Sequence, residues 1–353
     1  MPSSADGELT SDARRGRGSD YADLSRRVKA AGLLDRRSSY YAAKIAVMGL
    51  LFVAGWAAVI LIGDSWYQLI VAAFLAVVFT QIGFLGHDAG HGQIFRSARA
   101  NRVVGLIHGN LAIGLSYGWW VSKHTRHHAH PNDVDKDPDV GAGALVFTAG
   151  QAGLRRGFAA AWTRSQAYLF FPLLLLEGFH LHVASVRELL RPARKGRWLE
   201  LGLLVGHVAG YLTVLLIAMS PWQALLFVVV QQGLFGLYMG CSFAPNHKGM
   251  PVLGPEESAD FLRRQVLTSR NIRGGPIVDF VFGGLNYQIE HHLFPSMPRP
   301  SLRHAQALVH DFCAQRGVAY RQTGVVASYA EALRHLHAVA TPLRANPAGT
   351  TPR

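Results

Sequence analysis

The chain has 353 residues, half of them hydrophobic, with a formal net charge of +13 and a positive mean hydropathy of +0.16, which fits either a two-domain soluble protein or a small integral membrane protein. Two cysteines, Cys241 and Cys313, exclude a disulfide framework. The charge would suit nucleic acid, but no nucleic-acid-binding motif accompanies it, so anionic lipid head groups, a phosphate-bearing substrate or an acidic redox partner are the better counterparts.

Residues 1 to about 20 are rich in Ser, Gly, Asp and Arg with little to bury, and are expected to be disordered. In 21–37, Leu24, Val28 and Leu33 punctuate a run of basic residues, a pattern that suits a helix lying on a membrane surface and equally a solvated charged stretch. A bilayer core needs roughly 20 apolar residues per helix. The stretches 45–63, 66–86, 199–219 and 222–244 meet that, and none contains Lys or Arg. Asp64-Ser65 joins the first pair and Ser220-Pro221 the second, so two tight hairpins are predicted. Two shorter segments lie between them: 103–120, with His108, Asn110 and several glycines, and 167–179, interrupted by Pro172 and Glu177. Both read as interfacial or partly inserted helices rather than spans.

From Lys248 onward the composition is that of a soluble domain, closing in a polar Pro/Thr tail. The first apolar stretch begins only at residue 45, so it is expected to be an uncleaved anchor. All 35 Lys and Arg residues lie outside the hairpins. By the positive-inside rule both termini and the middle region face the cytoplasm. The expected organisation is a basic or disordered segment 1–38, a membrane domain 39–340 and a disordered tail 341–353. The expected fold is an all-α integral membrane protein, with four transmembrane helices in two hairpins, interfacial helices and a cytosolic helical cap.

Histidines at helical spacing carry the chemistry. Residues three and four apart share a helix face, so His87 and His91 stack in His87-Asp-Ala-Gly-His91. His124, His127 and His128 likewise share one side, and His291 and His292 follow Gln288 with the same spacing. His247 follows the fourth span in Ala244-Pro-Asn-His-Lys-Gly-Met250. All of these positions fall on one predicted membrane face, where eight imidazoles converge on a metal site. A catalytic zinc keeps three protein ligands and a water, so eight are too many for one ion and two ions fit better. Imidazole suits iron, zinc or copper. A membrane setting favours chemistry on a lipid chain, and unactivated C–H bonds need a redox metal and O2, which favours two irons over zinc.

At these residues the sequence resembles the integral-membrane fatty acid desaturases, most closely the bacterial acyl-CoA and acyl-lipid type, over 40–340. The likeness also includes Trp119-Trp120, His130-Pro-Asn-Asp-Val-Asp-Lys-Asp-Pro-Asp139, Gln265-Val-Leu-Thr-Ser-Arg-Asn271 and His291-His-Leu-Phe-Pro295. It implies a mushroom-shaped fold of four spans and a cytosolic cap, with a di-iron centre at the junction that uses O2 and two electrons to insert a double bond into a fatty acyl chain. It also implies that His87, His91, His124, His127, His128, His291 and His292 are box ligands, that His247 is an extra ligand, and that no catalytic residue is needed beyond the metal centre. Asn246 adjoins His247 and is a candidate for the metal or its water. Gln288 stands where many relatives carry histidine, and is expected to bind weakly or from behind the ligands.

Asp88, Glu290, Asp135, Asp137 and Asp139 are candidates to orient the imidazoles from behind. Trp119, Trp120, Tyr117 and Phe84 are candidate walls of a substrate tunnel, and Arg263, Arg264, Arg270 and Arg273 candidate contacts for coenzyme A phosphates or an acidic electron donor. His207 is expected to find a partner within the bundle, and His108 and His130 are left out of the metal set. No His-Pro-Gly-Gly marks a fused cytochrome b5 domain, so electrons are expected from a separate protein of ferredoxin, reductase or cytochrome b5 type. The competing readings are a histidine-box hydroxylase or ketolase and, in another class, a zinc-dependent membrane hydrolase or a metal transporter.

Overall fold

The computed structural model describes residues 19–192, 196–254 and 260–345. The disorder expected for 1 to about 20 falls almost wholly outside the described residues, and that expected for the tail does so from 346 on.

The described residues are mostly helical: α1 Asp20–Ala30, α2 Ser38–Ile62, α3 Gln68–Gly90, α4 Ala98–Gly105, a π-helix Leu106–Ala112, α5 Tyr117–Ala129, α6 Ala149–Gly153, α7 Gly157–Arg164, α8 Gln166–Leu189, α9 Arg197–Ala218, α10 Pro221–His247, α11 Phe261–Leu267, α12 Pro276–Val281, α13 Gln288–Leu293, α14 Arg299–Gln315, α15 Val325–Val339 and α16 Thr341–Ala345. A parallel pair of three-residue strands, β1 Asn271–Arg273 and β2 Gln322–Gly324, completes the fold.

The apolar run of α2 ends at Gly63, whose φ of 64° suits glycine. Gln68 then turns its amide back onto the carbonyls of Val59 (2.7 Å) and Gly63 (2.9 Å), satisfying acceptors that the helix end leaves free. The α2–α3 turn meets the α9–α10 turn, where Asp64 Oδ1 accepts from the backbone N–H (3.0 Å) and hydroxyl (3.1 Å) of Ser220. Helix α3 is the centre of the bundle, buried along most of its length against α2 and α10. Its core, with Leu75, Phe79 and Leu85, joins Tyr211 of α9 and Phe227 and Phe235 of α10. The outward faces of α2 and α9 leave Leu50, Val53, Leu61, Val205, Leu216 and Ile217 exposed, an apolar belt that places this as a membrane protein.

Among the described residues, five helices are long and apolar enough to cross a membrane: α2, α3, α8, α9 and α10. Helix α8 departs from the short, interrupted segment expected at 167–179, because it runs unbroken for 24 residues through Pro172 and Glu177. Packing overrides local propensity there. Gly178 and Gly236 let α8 and α10 touch backbone to backbone, and a Cβ on Gly236 would lie 2.3 Å from the Gly178 nitrogen. The segment 103–120 departs in the other direction, breaking into α4, the π-helix and the start of α5. Gly114 (φ 70°) makes that break, and a Cβ on it would meet His207 at 2.5 Å.

The second core gathers α1, α11, α13 and α14 around Val266, Ile289, Leu302, Val309 and Phe312. Leu24, Val28 and Leu33 are buried in it. The amphipathic segment 21–37 therefore turns its apolar face to this cap, not to an open surface. Likewise α16 orders the first residues of the expected tail, with Leu343 buried against Val146 and Ala160.

Candidate metal centre

Four helix ends supply the imidazoles: the end of α3, the body of α5, the end of α10 and the short α13. One turn of α3 sets the His87 and His91 rings 4.7 Å apart, and both meet His291 at 4.8 and 4.7 Å. With His124 they form one set, whose ligand atoms lie within 4.8 Å of one another. His127, His247 and His292 form a second set by the same measure. His128 stands between them, stacked on His292 at 4.2 Å with its Nε2 3.0 Å from that of His124. The eight histidines predicted to converge are thus brought together, all buried but His91, which is half-buried.

The protonation pattern shows what this arrangement can hold. His127 Nδ1 lies 2.9 Å from the Asp137 carboxylate, His247 Nδ1 3.0 Å from the Thr268 carbonyl and His292 Nδ1 2.9 Å from Gln265 Oε1. Each Nδ1 therefore carries the proton, and each Nε2 is left with a lone pair. Yet His247 Nε2 lies 3.3 Å from His127 Nε2 and 3.1 Å from His292 Nε2. Lone pairs that face one another without protons between them are repulsive unless a Lewis acid sits among them. In the other set, Nε2 of His87, His91 and His291 is buried with no hydrogen-bond partner. Burial first, and neighbouring imidazoles second, hold His91, His124, His128, His291 and His292 well below the ordinary histidine range. Neutral rings are the form that binds metal. The donor set fits a pair of transition-metal ions.

The groups behind the rings differ from expectation in instructive ways. Asp137 takes the orienting role: it also accepts from the backbone N–H of Asn132 (2.8 Å) and of Asp139 (2.8 Å), and Asn132 adopts a φ of 56° to make this turn. Asp139 stands 3.5 Å from His127 Nδ1 and pairs with Lys123, while Asp135 is exposed. Asp88 reaches His87 Nδ1 only at 3.4 Å and pairs with buried Arg299 at 2.6 Å. Glu290 turns away from the rings and accepts from Asn271 Nδ2 (2.6 Å) and the Tyr320 hydroxyl (2.7 Å); burial pushes its pKa up to about 7. Gln288 places its amide nitrogen 2.9 Å from His247 Nε2, and its oxygen accepts from Asn246 (3.2 Å). Sequence reasoning missed Gln265, which also donates to the His128 carbonyl (2.9 Å). Its only signal was its place in the Gln265-to-Asn271 string.

A cavity of about 590 Å³ opens beside the rings between α5, α8 and α10. His124, His127, His247 and Gln288 close one side of it. Trp119 and Trp120 form its wall as expected, with Leu174 of α8 and Phe243 of α10. Tyr117 and Phe84 are corrected, since Tyr117 covers Gly105 and Phe84 packs against Gly283 and Arg299. Arg270 is corrected too. It is fully buried, bonded to the Pro245 carbonyl (2.5 Å) and paired with Glu331, so it has no free surface for a partner. Arg263 pairs with Asp20 and Asp260, and Arg264 meets His130. His207 finds the Leu111 carbonyl at 2.9 Å, the bundle partner expected for it, and His108 bonds to Val104.

Fold and site together define a helical membrane protein with a buried histidine-lined metal centre that faces an apolar cavity. Residues 64–324 match the fatty acid desaturase family, and the chain belongs to it. It is 31% identical over 312 residues to the acyl-lipid (9-3)-desaturase of the moss Physcomitrium patens, covering 85% of this chain and 59% of that protein. It is also 31% identical to a Delta(6)-fatty-acid desaturase of Caenorhabditis elegans (80% of this chain, 67% of that protein). A Delta 8-(E)-sphingolipid desaturase of Kluyveromyces lactis is 30% identical (91% and 59%). The chain therefore spans about three fifths of the length of the moss and yeast relatives.

Proposed function

We propose that this chain is an O2-dependent desaturase of a long-chain fatty acyl group in the cytoplasmic membrane, with its histidine centre on the cytoplasmic side. The observation that carries the reading is a ring of inward-facing imidazole nitrogens on the wall of an apolar cavity. The balanced reaction is –CH2–CH2– + O2 + 2 e− + 2 H+ → –CH=CH– + 2 H2O. Two iron ions, held by His87, His91, His124 and His291 on one side and His127, His247 and His292 on the other with His128 between, would supply the O2 chemistry that unactivated C–H bonds require.

The chain's own residues do the positioning. Trp119, Trp120, Leu174 and Phe243 hold a featureless acyl chain beside the centre and keep water from it. Asp137, Gln265 and the Thr268 carbonyl fix the tautomers that aim Nε2 inward. Gln288, at the cavity edge, serves beside His247 as a weaker partner of the centre.

In this reading α2, α3, α9 and α10 cross the membrane as two hairpins. Helix α9 starts beside α5 at the histidine end and finishes at the Asp64–Ser220 contact. Helix α8 links two places on the histidine side, carries Glu177, His180 and Arg187, and packs against α10 and α15; it lies along the interface. The acyl group arrives on coenzyme A or a lipid.

Expression in a host of known lipid content, with new double bonds mapped by mass spectrometry, tests the function. The expected product is two mass units lighter than its precursor, formed only with O2 and by iron-containing protein. Addition of oxygen to the chain would mark a hydroxylase instead, and activity of zinc-only protein without O2 would refute both.

A further inference from the structure

Glu200 is a buried carboxylate, 3% exposed, in the first turn of α9. A carboxylate inside a membrane bundle is costly unless its oxygens are satisfied, and it therefore needs a reason. Its partners lie in the turn that begins α5 and in the π-helix before it. Glu200 Oε2 accepts from Ser116 Oγ at 2.7 Å, from the Gly118 backbone N–H at 3.1 Å and from Asn110 Nδ2 at 3.3 Å. Ser116 is the N-cap of α5, its Oγ accepting from the Trp119 N–H at 3.1 Å. The Asn110 side-chain oxygen takes the Tyr117 N–H at 3.1 Å, and Ser185 of α8 accepts from the Ser116 N–H at 3.0 Å. The Glu200 side chain thus lies at the positive end of a 13-residue helix, takes the Gly118 N–H itself and holds Ser116 and Asn110, which take the Trp119 and Tyr117 N–H groups.

Helix α9 gives no residue to the cavity wall or to the clustered ligands among the described residues. Helix α5 gives Trp119, Trp120 and three histidines. His124 is six residues beyond Gly118, about 9 Å along the helix at 1.5 Å per residue. A shift at the first turn is therefore carried rigidly to the rings and the cavity wall.

We infer that Glu200 is a positioning residue, which fixes the axial position of α5 and so the distance between the acyl chain and the metal centre, without touching either. This rests on the desaturase reading for its kinetic consequence but not for its structural one. The test uses the full chain in lipid nanodiscs, with Glu200→Ala and the conservative Glu200→Gln, which keeps one acceptor oxygen. Iron per chain, kcat and KM for the acyl donor, and hydrogen exchange of the α5 amides are measured.

The expected result is iron content near that of the parent, kcat per iron lowered at least tenfold in Glu200→Ala with KM within twofold, and partial rescue in Glu200→Gln. Exchange at Gly118 to Trp120 accelerates while that in α3 is unchanged. An unchanged kcat per iron, or a loss of activity that only tracks loss of iron, overturns the inference. If the parent makes no alkene the desaturase reading fails, and exchange alone decides: selective loosening of α5 supports the role, and unchanged exchange overturns it.

Discussion

Asp137→Asn is the sharpest perturbation of the centre, because it keeps the shape and changes which nitrogen of His127 carries a proton. The Asp137 side chain has no solvent exposure and holds His127 Nδ1 at 2.9 and 3.0 Å. It also accepts the N–H groups of Asn132 and Asp139. The two backbone donors bind different oxygens, the Asn132 N–H to Oδ2 and the Asp139 N–H to Oδ1, so the single oxygen of an asparagine keeps one of them and its NH2 replaces the other acceptor beside Nδ1. The His127 proton moves to Nε2, and the lone pair aimed at His247 and His292 is lost. Removing a partner that orients a metal-bound histidine typically weakens metal binding by about 10- to 100-fold, which is about 1.4 to 2.7 kcal/mol.

The loss should be asymmetric. On the proposed reading of two irons, the ion in the His127 set would leave at a lower chelator concentration while that in the His87 set stays, so iron per chain would fall by about half in a graded chelator titration. Asp139→Asn is the control: that side chain is 34% exposed and 3.5 Å from Nδ1, and its effect should stay below about 1 kcal/mol. Equal shifts in the two variants, or none in Asp137→Asn, would refute the tautomer argument.

Two further substitutions test the scaffold. Gly236→Val should cost about 3 kcal/mol or more, since the new Cβ meets α8 backbone and not a flexible side-chain tip. Thermal unfolding in detergent should show it, whereas Gly206→Ala, with nothing within 4 Å, should leave the midpoint unchanged. Arg270→Ala should destabilise by about 1.5 to 3 kcal/mol, because it removes a fully buried guanidinium and leaves the Pro245 carbonyl without its donor, while Glu331 keeps Arg321 at 2.9 Å. An unchanged melting midpoint together with a raised KM for the electron donor would return Arg270 to the surface role first expected for it.

The local periodicities were legible without coordinates. Four apolar runs located α2, α3, α9 and α10, with ends off by up to seven residues, because a helix must satisfy its own backbone bonds in an apolar setting. The spacing of His87/His91 and His124/His128 likewise named imidazoles that meet, since residues four apart share a helix face, whereas His127 and His292 part from their neighbours into the second set. Helix α8 was read too short, as an interfacial segment over 167–179, because Pro172 and Glu177 argue locally against a long helix. What holds it is the close approach of Gly178 to Gly236, a contact between residues far apart in the chain.

The tertiary structure alone decided which polar groups serve the rings. Of five carboxylates near the boxes Asp88 looked the best placed, yet it pairs with Arg299, while the turn at Asn132 brings Asp137 onto His127 and the fold sends Glu290 to Asn271 and Tyr320. Arg270 looked exposed by type and is buried by position. Glu200 sat unnoticed in an apolar run until α9 packed it against the start of α5. Periodicity records which side of a helix a residue takes, because that is local geometry. Hydrogen-bond partners depend on how helices far apart in sequence pack, and no local pattern encodes that.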